Sequence, residues 1–323
     1  MVRTTALKRS RVAVAPCSTA NLGPGFDVFG LALDALYDSV RITVSKNIQT
    51  RSAHITIKVT NDSGIPTAVD SNSAGLVVRR MTRDFGIDDP LEVEIKKGIP
   101  AGYGFGSSAA SAAAAAIAFK SLYDLSIGSN ALIEYAAEGE VASAGAKHYD
   151  NVSASVLGGF VISSTTRNGG LRFIRLDPPK DLVLVMAVPL SIRVPERKTE
   201  VARSALPKEV PLRDVVHNIS SASTVVAGFA KKDVDMIASG IDDIIVEPAR
   251  KNLVPGYQTV KQNAMGAGAL AVTISGAGPS MVALLKTSKN SKKVAGAMLT
   301  GFKTAGVQGR TFICRPSRGA RVV

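Results

Sequence analysis

The segment "IPAGYGFGSSAASAAAAAIAF", residues 99–119, carries no charge between Lys97 and Lys120. Glycines stand at 102, 104 and 106, serines follow at 107 and 108, and alanine dominates the rest. This reads as a glycine turn that opens a helix over about Ser107–Tyr123. The first N–H groups of a helix have no intrahelical partner and carry partial positive charge. Glycines just upstream let the backbone turn tightly and come close to a ligand. Together they make an anion site, most often for phosphate. The competing reading is a plain strand-to-helix turn, with alanines that let neighbouring backbones pack closely. No Gly-Lys-Ser/Thr follows, so the loop is not of the Walker A type. The G-x-G-x-G spacing also fits a dinucleotide fingerprint poorly, with only Asp124 standing about 20 residues on.

Around this segment lies a chain of 323 residues, 46% hydrophobic, with mixed charges and no repeat. That length suits one large domain or two packed lobes. The formal charge of +13 suits an anionic partner. The basic residues are scattered, however, and only Arg3, Lys8, Arg9 and Arg11 form a basic tail. No helix-turn-helix or RNA-binding signature accompanies them, so no nucleic-acid partner is expected. Cys17 and Cys314 stand at opposite ends, which is neither a disulfide framework nor zinc-ligand spacing. His54, His148 and His217 are too separated for a transition-metal site. The basic start lacks an apolar run behind it, so a cytoplasmic protein is expected. Residues 98–119 and 262–285 are uncharged and about as long as a membrane span. Glycines break both, and Pro279 breaks the second, so neither is expected to enter a membrane.

Strand-like runs appear at Val12–Val14, Val40–Val44, His54–Val59 and Leu91–Ile95. A helix is expected over Ser73–Phe85, and another follows the alanine helix over Asn130–Ala146. Strands are expected near Gly159–Ser163, Leu171–Leu176 and Leu182–Val188. Helices follow over Leu212–Ala230, Val234–Ile245 and Tyr257–Gly266. Strands at Leu270–Ile274 and Met281–Leu285, a helix over Ser291–Thr304 and a strand at Gly309–Cys314 end the pattern. The uneven mixture predicts an α+β fold, with Asp177–Lys180 as the seam between residues 11–176 and 177–323.

The helix after the alanines contains Glu140. Its neighbours three and four places away are Ala136, Ala137, Ser143 and Ala144. A carboxylate among such small side chains is poorly solvated if the alanine helix packs there. A buried carboxylate requires a cation, and beside phosphates that cation is most simply Mg²⁺. The alternative is a solvated surface glutamate.

Three segments in order sharpen the reading: "APCSTANLGPGFDVFGLAL" (15–33), "PAGYGFGSSAA" (100–110) and "TISGAGPSMVALL" (273–285). They resemble the three signature segments of the GHMP kinases, the superfamily of galactokinase, homoserine kinase and mevalonate kinase. The first segment, with "KHYDN" (147–151) and "VEPAR" (246–250), is similar to the homoserine kinase branch. The likeness spans about residues 11–315. Phe105 and Tyr103 depart from the usual loop residues, at positions not expected to do chemistry.

The resemblance implies an N-terminal lobe like ribosomal S5 domain 2, a ferredoxin-like C-terminal lobe and a site between them. It implies transfer of the γ-phosphate of ATP to the hydroxyl of L-homoserine, a step of threonine biosynthesis. The loop residues Pro100, Ala101, Gly102, Tyr103, Gly104, Phe105, Gly106, Ser107, Ser108, Ala109 and Ala110 would wrap the triphosphate. Asn72 would lie near the nucleoside or serve as an N-cap. Glu140 and one of the two serines would hold Mg²⁺; Ser107 is favoured, though the sequence does not separate it from Ser108. Arg203 and Arg250 would bind the substrate carboxylate through planar forks. Asn21 and Asp27 would take its ammonium and hydroxyl, with turn formation as the alternative role. His148, Gly276, Asp150 and Asn151 would border it. Mevalonate kinases use an Asp as base, and whether Asp150 or Asn151 falls at that position depends on a one-residue alignment choice. Transfer without a strong side-chain base is expected. A mevalonate-type kinase and a basic nucleic-acid-binding protein are the alternative functions. The reading admits a homodimer, for which the sequence carries no direct sign.

Overall fold

The computed structural model describes residues 9–45, 55–62, 64–192 and 198–323. Arg3, Lys8 and His54 lie outside the described residues. In chain order the elements are β1 (Ser10–Asn21), β2 (Gly25–Val44), β3 (Ile55–Thr60), α1 (Ser73–Asp84), β4 (Leu91–Lys96), α2 (Ser107–Leu122), α3 (Ser129–Ala144), α4 (Asp150–Leu157), β5 (Phe160–Thr165) and β6 (Leu171–Leu176). They continue with β7 (Val183–Pro189), α5 (Lys198–Ser204), α6 (Leu212–Lys231), α7 (Val234–Ser239), α8 (Val246–Arg250), α9 (Tyr257–Gly266), β8 (Ala271–Ile274), β9 (Met281–Leu285), α10 (Ser291–Thr304), β10 (Gly309–Cys314) and β11 (Arg321–Val322).

The first sheet runs β11-β1-β2-β4-β3, with β5 and β6 added along β2. All its pairs are antiparallel except β3–β4, which is parallel and is joined through α1. The β1–β2 hairpin is far longer than its two short β-branched runs predict. Its register shifts at Pro16/Cys17 and again at Ala20/Asn21. Such shifts bend a strand and re-aim its side chains. Here they let β2 pair with β4 through Ser39–Val44 and with β5 through Phe29–Leu31.

The second sheet has the order β10-β7-β9-β8, antiparallel throughout. Counted within that lobe the strands run 4-1-3-2, a ferredoxin-like arrangement. β7 is buried along its whole length. Leu184 and Met186 join the larger core, while Val183 and Val185 join the second core, on the side where α10 packs against β7. Burial on both faces explains why β7 is apolar without alternation. The chain's last strand, β11, crosses back to pair with β1. The fold is the two-lobed α+β architecture expected.

α2 lies at the centre of the first lobe, against β1, β2, α1, α3 and α4. Its alanines at 109, 110, 112–116 and 118 are buried. Only small residues permit so many neighbours at close range. At Gly139 of α3, an added Cβ would lie 2.7 Å from the Ala112 Cβ and from the Ser73 carbonyl oxygen. That close approach brings the next residue, Glu140, beside the start of α2. α6 joins the lobes through Phe229, which stacks on Phe160 with ring centroids 3.9 Å apart.

The structure departs from the sequence pattern at several elements, among them α4, α5, α7 and α8. α4 was not expected, because "DNVSASVL" is rich in serine and β-branched residues, which are weak helix formers. α5 was not expected either. α7 stops at Ser239 because the chain turns at Gly240, whose added Cβ would meet the Val225 nitrogen at 2.7 Å.

Candidate active site

A cleft of about 640 Å³ opens between the glycine loop, the β1–β2 turn, the starts of α4 and α5, and the β8–β9 loop. Gly102, Gly104 and Gly106 all have left-handed backbone angles, with φ of 84°, 84° and 65°. Gly104 also sits where nothing larger fits, since an added Cβ would lie 2.4 Å from the Ser275 carbonyl oxygen and 2.8 Å from that of Gly278. The two loops are further joined by Ser275, whose Oγ lies 2.7 Å from the Gly104 carbonyl and 2.9 Å from Thr19 Oγ1. Gly106 caps α2, so the free N–H groups of its first turn face the cleft region lined by Gly106, Ser107 and Ser108.

Behind the loop, a buried network fixes its geometry. Lys97 pairs with Asp38 and donates to Ser111 Oγ at 2.9 Å and to the Ser107 carbonyl at 3.1 Å. Asp38 also accepts from the Gly98 and Ile99 N–H groups at 2.9 and 3.1 Å. Both charges are essentially inaccessible to solvent.

The two loop serines have different tasks. Ser107 donates to the Ile99 carbonyl at 2.8 Å, which spends its hydroxyl on the loop itself. Ser108 donates to Glu140 Oε1 at 2.6 Å. Of the two serines proposed beside Mg²⁺, it is Ser108 whose hydroxyl meets Glu140 in this structure. Glu140 is buried, and desolvation pushes its carboxyl up to about 7 despite the Ser108 hydrogen bond. Asn72 is the N-cap of α1: its Oδ1 accepts from the Gly75 N–H at 3.0 Å and its Nδ2 donates to the Pro66 carbonyl at 2.7 Å. It lines the cleft as well.

The other half of the cleft is built for opposite charges. Asn21, with φ of 70°, donates from Nδ2 to the Gly276 carbonyl at 2.9 Å and accepts from the Asp27 N–H at 3.1 Å. That fixes the turn from which Asp27 reaches Arg203, with Nη2 and Oδ2 2.6 Å apart. Arg250 is buried, donating to the Ala202 carbonyl at 3.0 Å and the Gly276 carbonyl at 3.4 Å. Both guanidinium groups lie over the Phe26 ring, at 5.5 Å for Arg203 and 5.0 Å for Arg250. α8, which carries Arg250, is held at its start by Asp243, which accepts from the Ile245, Val246 and Glu247 N–H groups. Glu247 then anchors α8 to Lys261 Nζ at 2.6 Å, to the Tyr257 hydroxyl and to Thr273.

His148, Asp150 and Asn151 lie at and just before the start of α4 and complete the wall. Burial and the nearby Arg203 guanidinium hold His148 below its ordinary value. Asp150 is buried, and desolvation pushes it up to about 6, although it accepts from the Asn151 N–H at 2.7 Å. Asn151 Oδ1 accepts from Ser18 Oγ at 2.9 Å.

Of the sequence-predicted residues, Pro100, Tyr103, Ala109 and Ala110 do not line the cleft, and the rest do. Ala109 and Ala110 belong to the core, and the Tyr103 hydroxyl donates to the Leu190 carbonyl at 3.4 Å. Sequence reasoning missed Phe26, Lys97, Lys198 and Thr199. Phe26 lay within a quoted motif, but the lysines had no distinguishing mark among 39 basic residues.

This is the architecture of a GHMP kinase. The family models for the GHMP kinases N terminal domain and for GHMP kinases C terminal match residues 72–159 and 225–304. A homoserine kinase of Thermoplasma volcanium is 41% identical over 87% of this chain and 86% of its own length. That of Thermoplasma acidophilum is 37% identical over 96% of each. The crystal structure of homoserine kinase from Cytophaga hutchinsonii superposes with a TM-score of 0.89 at 32% identity, covering all of both chains. The chain belongs to the homoserine kinase family.

Proposed function

We propose that this protein transfers the γ-phosphate of ATP to the side-chain hydroxyl of L-homoserine, giving O-phospho-L-homoserine and ADP. The observation that carries this reading is the junction of two unlike half-sites in one cleft. One half offers helix N–H groups and a glycine loop. The other offers Asp27 for an ammonium and Arg203 with Arg250 for a carboxylate. Residues 11–176 would supply the nucleotide lobe, and residues 177–323 would complete the substrate half.

Glu140 and the Ser108 hydroxyl are hard oxygen donors that fit Mg²⁺. Desolvation raises the Glu140 carboxyl, and a divalent cation bound beside it would favour its ionised form. Among the described residues no group of three or more His, Cys, Asp or Glu could hold a metal. That suits an ion shared between one or two side chains and substrate phosphates. Bound there, Mg²⁺ would neutralise phosphate charge.

Phosphoryl transfer needs little covalent help from the protein, so catalysis rests on positioning and electrostatic stabilisation. The substrate hydroxyl oxygen attacks the γ-phosphorus, the bond to the bridging oxygen breaks, and the hydroxyl proton passes to a phosphoryl oxygen or water. Asn151 is an amide and supplies no base, while Asp150 is tied to the helix start by its own hydrogen bond. Both buried thiols are free, in keeping with a reducing cytoplasm. ADP release with and without L-homoserine, run beside mevalonate and shikimate, tests the reading. Turnover specific to homoserine supports it; equal turnover with mevalonate overturns it.

A further inference from the structure

We propose that Lys198 is a catalytic residue of this reaction, whose ammonium leaves the Gly278 carbonyl to contact the γ-phosphoryl group during transfer. The inference rests on the ATP-dependent reading above and adds to it a residue that neither the sequence motifs nor the anion loop pointed to.

Lys198 opens α5 and lines the cleft. Its Nζ donates to the Gly278 carbonyl at 2.5 Å. That carbonyl abuts the anion loop, because an added Cβ on Gly104 would meet the same oxygen at 2.8 Å. The charged groups that act on Lys198 are Arg250 and Glu140. The first belongs to the half-site for the amino acid and the second to the half-site for the nucleotide. Lys198 therefore stands at the passage between them, which the transferred group must cross.

The four cations of the cleft are held in different ways. Lys97 is locked by Asp38 and Ser111, Arg203 by Asp27, and Arg250 by two carbonyls. Among the described residues, Lys198 has one neutral acceptor and no carboxylate in ion-pair range. A partly buried ammonium with so little compensation is costly, and desolvation with Arg250 nearby lowers it to about 7. A polyanion arriving at the adjacent loop relieves that cost. Lysine suits the exchange, since its ammonium is a compact charge with three donors on a flexible stem. It can trade a carbonyl for phosphoryl oxygens while α5 stays in place. The gain is greatest in the transition state, when negative charge spreads over the three equatorial oxygens.

The test compares wild type with Lys198→Met and Lys198→Arg. Loss of one aimed donor predicts a fall in kcat of about 10²–10³ for Lys198→Met. KM for ATP and homoserine should change less than about threefold, as for an interaction made only in the transition state. Lys198→Arg keeps the charge and should recover at least about tenfold of the loss. A second readout is calorimetry with ADP, aluminium fluoride and homoserine, a mimic of the transferring phosphoryl. Wild type should bind this mixture more tightly than ADP and homoserine without the fluoride, and Lys198→Met should lose that gain while binding ADP normally. A variant with wild-type kcat and wild-type mimic affinity overturns the proposal. So does one that loses ADP binding, or whose melting temperature falls with its activity. If wild type itself releases no ADP with homoserine, the functional reading fails and this proposal with it; active wild type beside an unaffected variant fails Lys198 alone.

Discussion

Arg203 and Asp27, 176 residues apart in the chain, meet across the cleft with Nη2 and Oδ2 2.6 Å apart. Each side chain is 39% exposed, so the pair contributes little to stability, about 0–1 kcal/mol. Its two charges are those needed for the opposite ends of an amino acid. On the proposed reading, a zwitterion inserting between them would replace one weak contact with two partnered ones.

Asp27→Asn should raise the KM for homoserine by about 10- to 100-fold, given about 1.5–3 kcal/mol for a hydrogen bond to a charged group. The KM for ATP should move far less. Arg203→Lys should show the same pattern, because an ammonium cannot reproduce the planar fork. Steady-state kinetics with each substrate varied check both; an unchanged homoserine KM would remove these residues from the substrate site.

Asp150→Asn and Asn151→Ala should each lower kcat by less than about 10⁴, the upper range for general acid–base catalysis. A larger fall from losing the Asp150 carboxylate alone would identify it as a base, against the positioning mechanism proposed here.

The stability contributed by two buried carboxyls should fall as pH rises from about 4 to about 7, while His148, held below its ordinary value, acts with the opposite sign. The carboxyls of Asp150 and Glu140 stand at about 6 and about 7, above their ordinary 3.8 and 4.5. Over that window the unfolded chain releases these protons first, so ionisation favours unfolding. Lys198 acts oppositely and at higher pH, since its penalty shrinks between about 7 and 10.5. Across pH 4–7 the melting temperature of wild type should therefore fall relative to that of Asp150→Asn. A steeper slope in the variant would refute the assignment.

Lys97→Met should destabilise the protein by about 3–5 kcal/mol, because Asp38 would be left as an uncompensated buried charge. Replacing both, as Asp38→Asn with Lys97→Met, should cost less than the single change. Denaturant midpoints for Lys97→Met, Asp38→Asn and the double variant measure this, and additive losses would deny the coupling.

Gly104→Ala should impair nucleotide binding and lower the melting temperature together. The new methyl group would enter backbone already at 2.4 Å, at a φ of 84°. Calorimetric affinity for ADP reads the first effect; unchanged affinity would show that the loop tolerates widening.

Much of this molecule is legible in its residue order. The alternation of glycines at 102, 104 and 106 before an alanine run announced a tight turn and a close-packed helix, and both are present. The strands β7 and β9 were evident as short apolar runs, and α10 as a periodic one. The far end of the β1–β2 hairpin was not, because "GFDVFG" gains its extended shape from pairing with β1 and β5 rather than from propensity. α4 was hidden for a similar reason, as Ser155 is satisfied by a partner distant in sequence, the Pro16 carbonyl.

The sequence alone determined the kinds of group at hand: a glycine loop, a carboxylate among small residues, and the motifs that supply Asn21, Asp27, Arg203 and Arg250. Only the tertiary structure decided which of them meet. Neighbouring helix residues point about 100° apart, so the choice of Ser108 over Ser107 depended on where α3 lies against α2. Lys198 became distinct from the other lysines only when the second lobe set it against Gly278, within the electrostatic reach of Glu140 and Arg250. Local propensity acts over a few residues, whereas charge, desolvation and close contact act through space between segments that the chain separates by tens of residues or more.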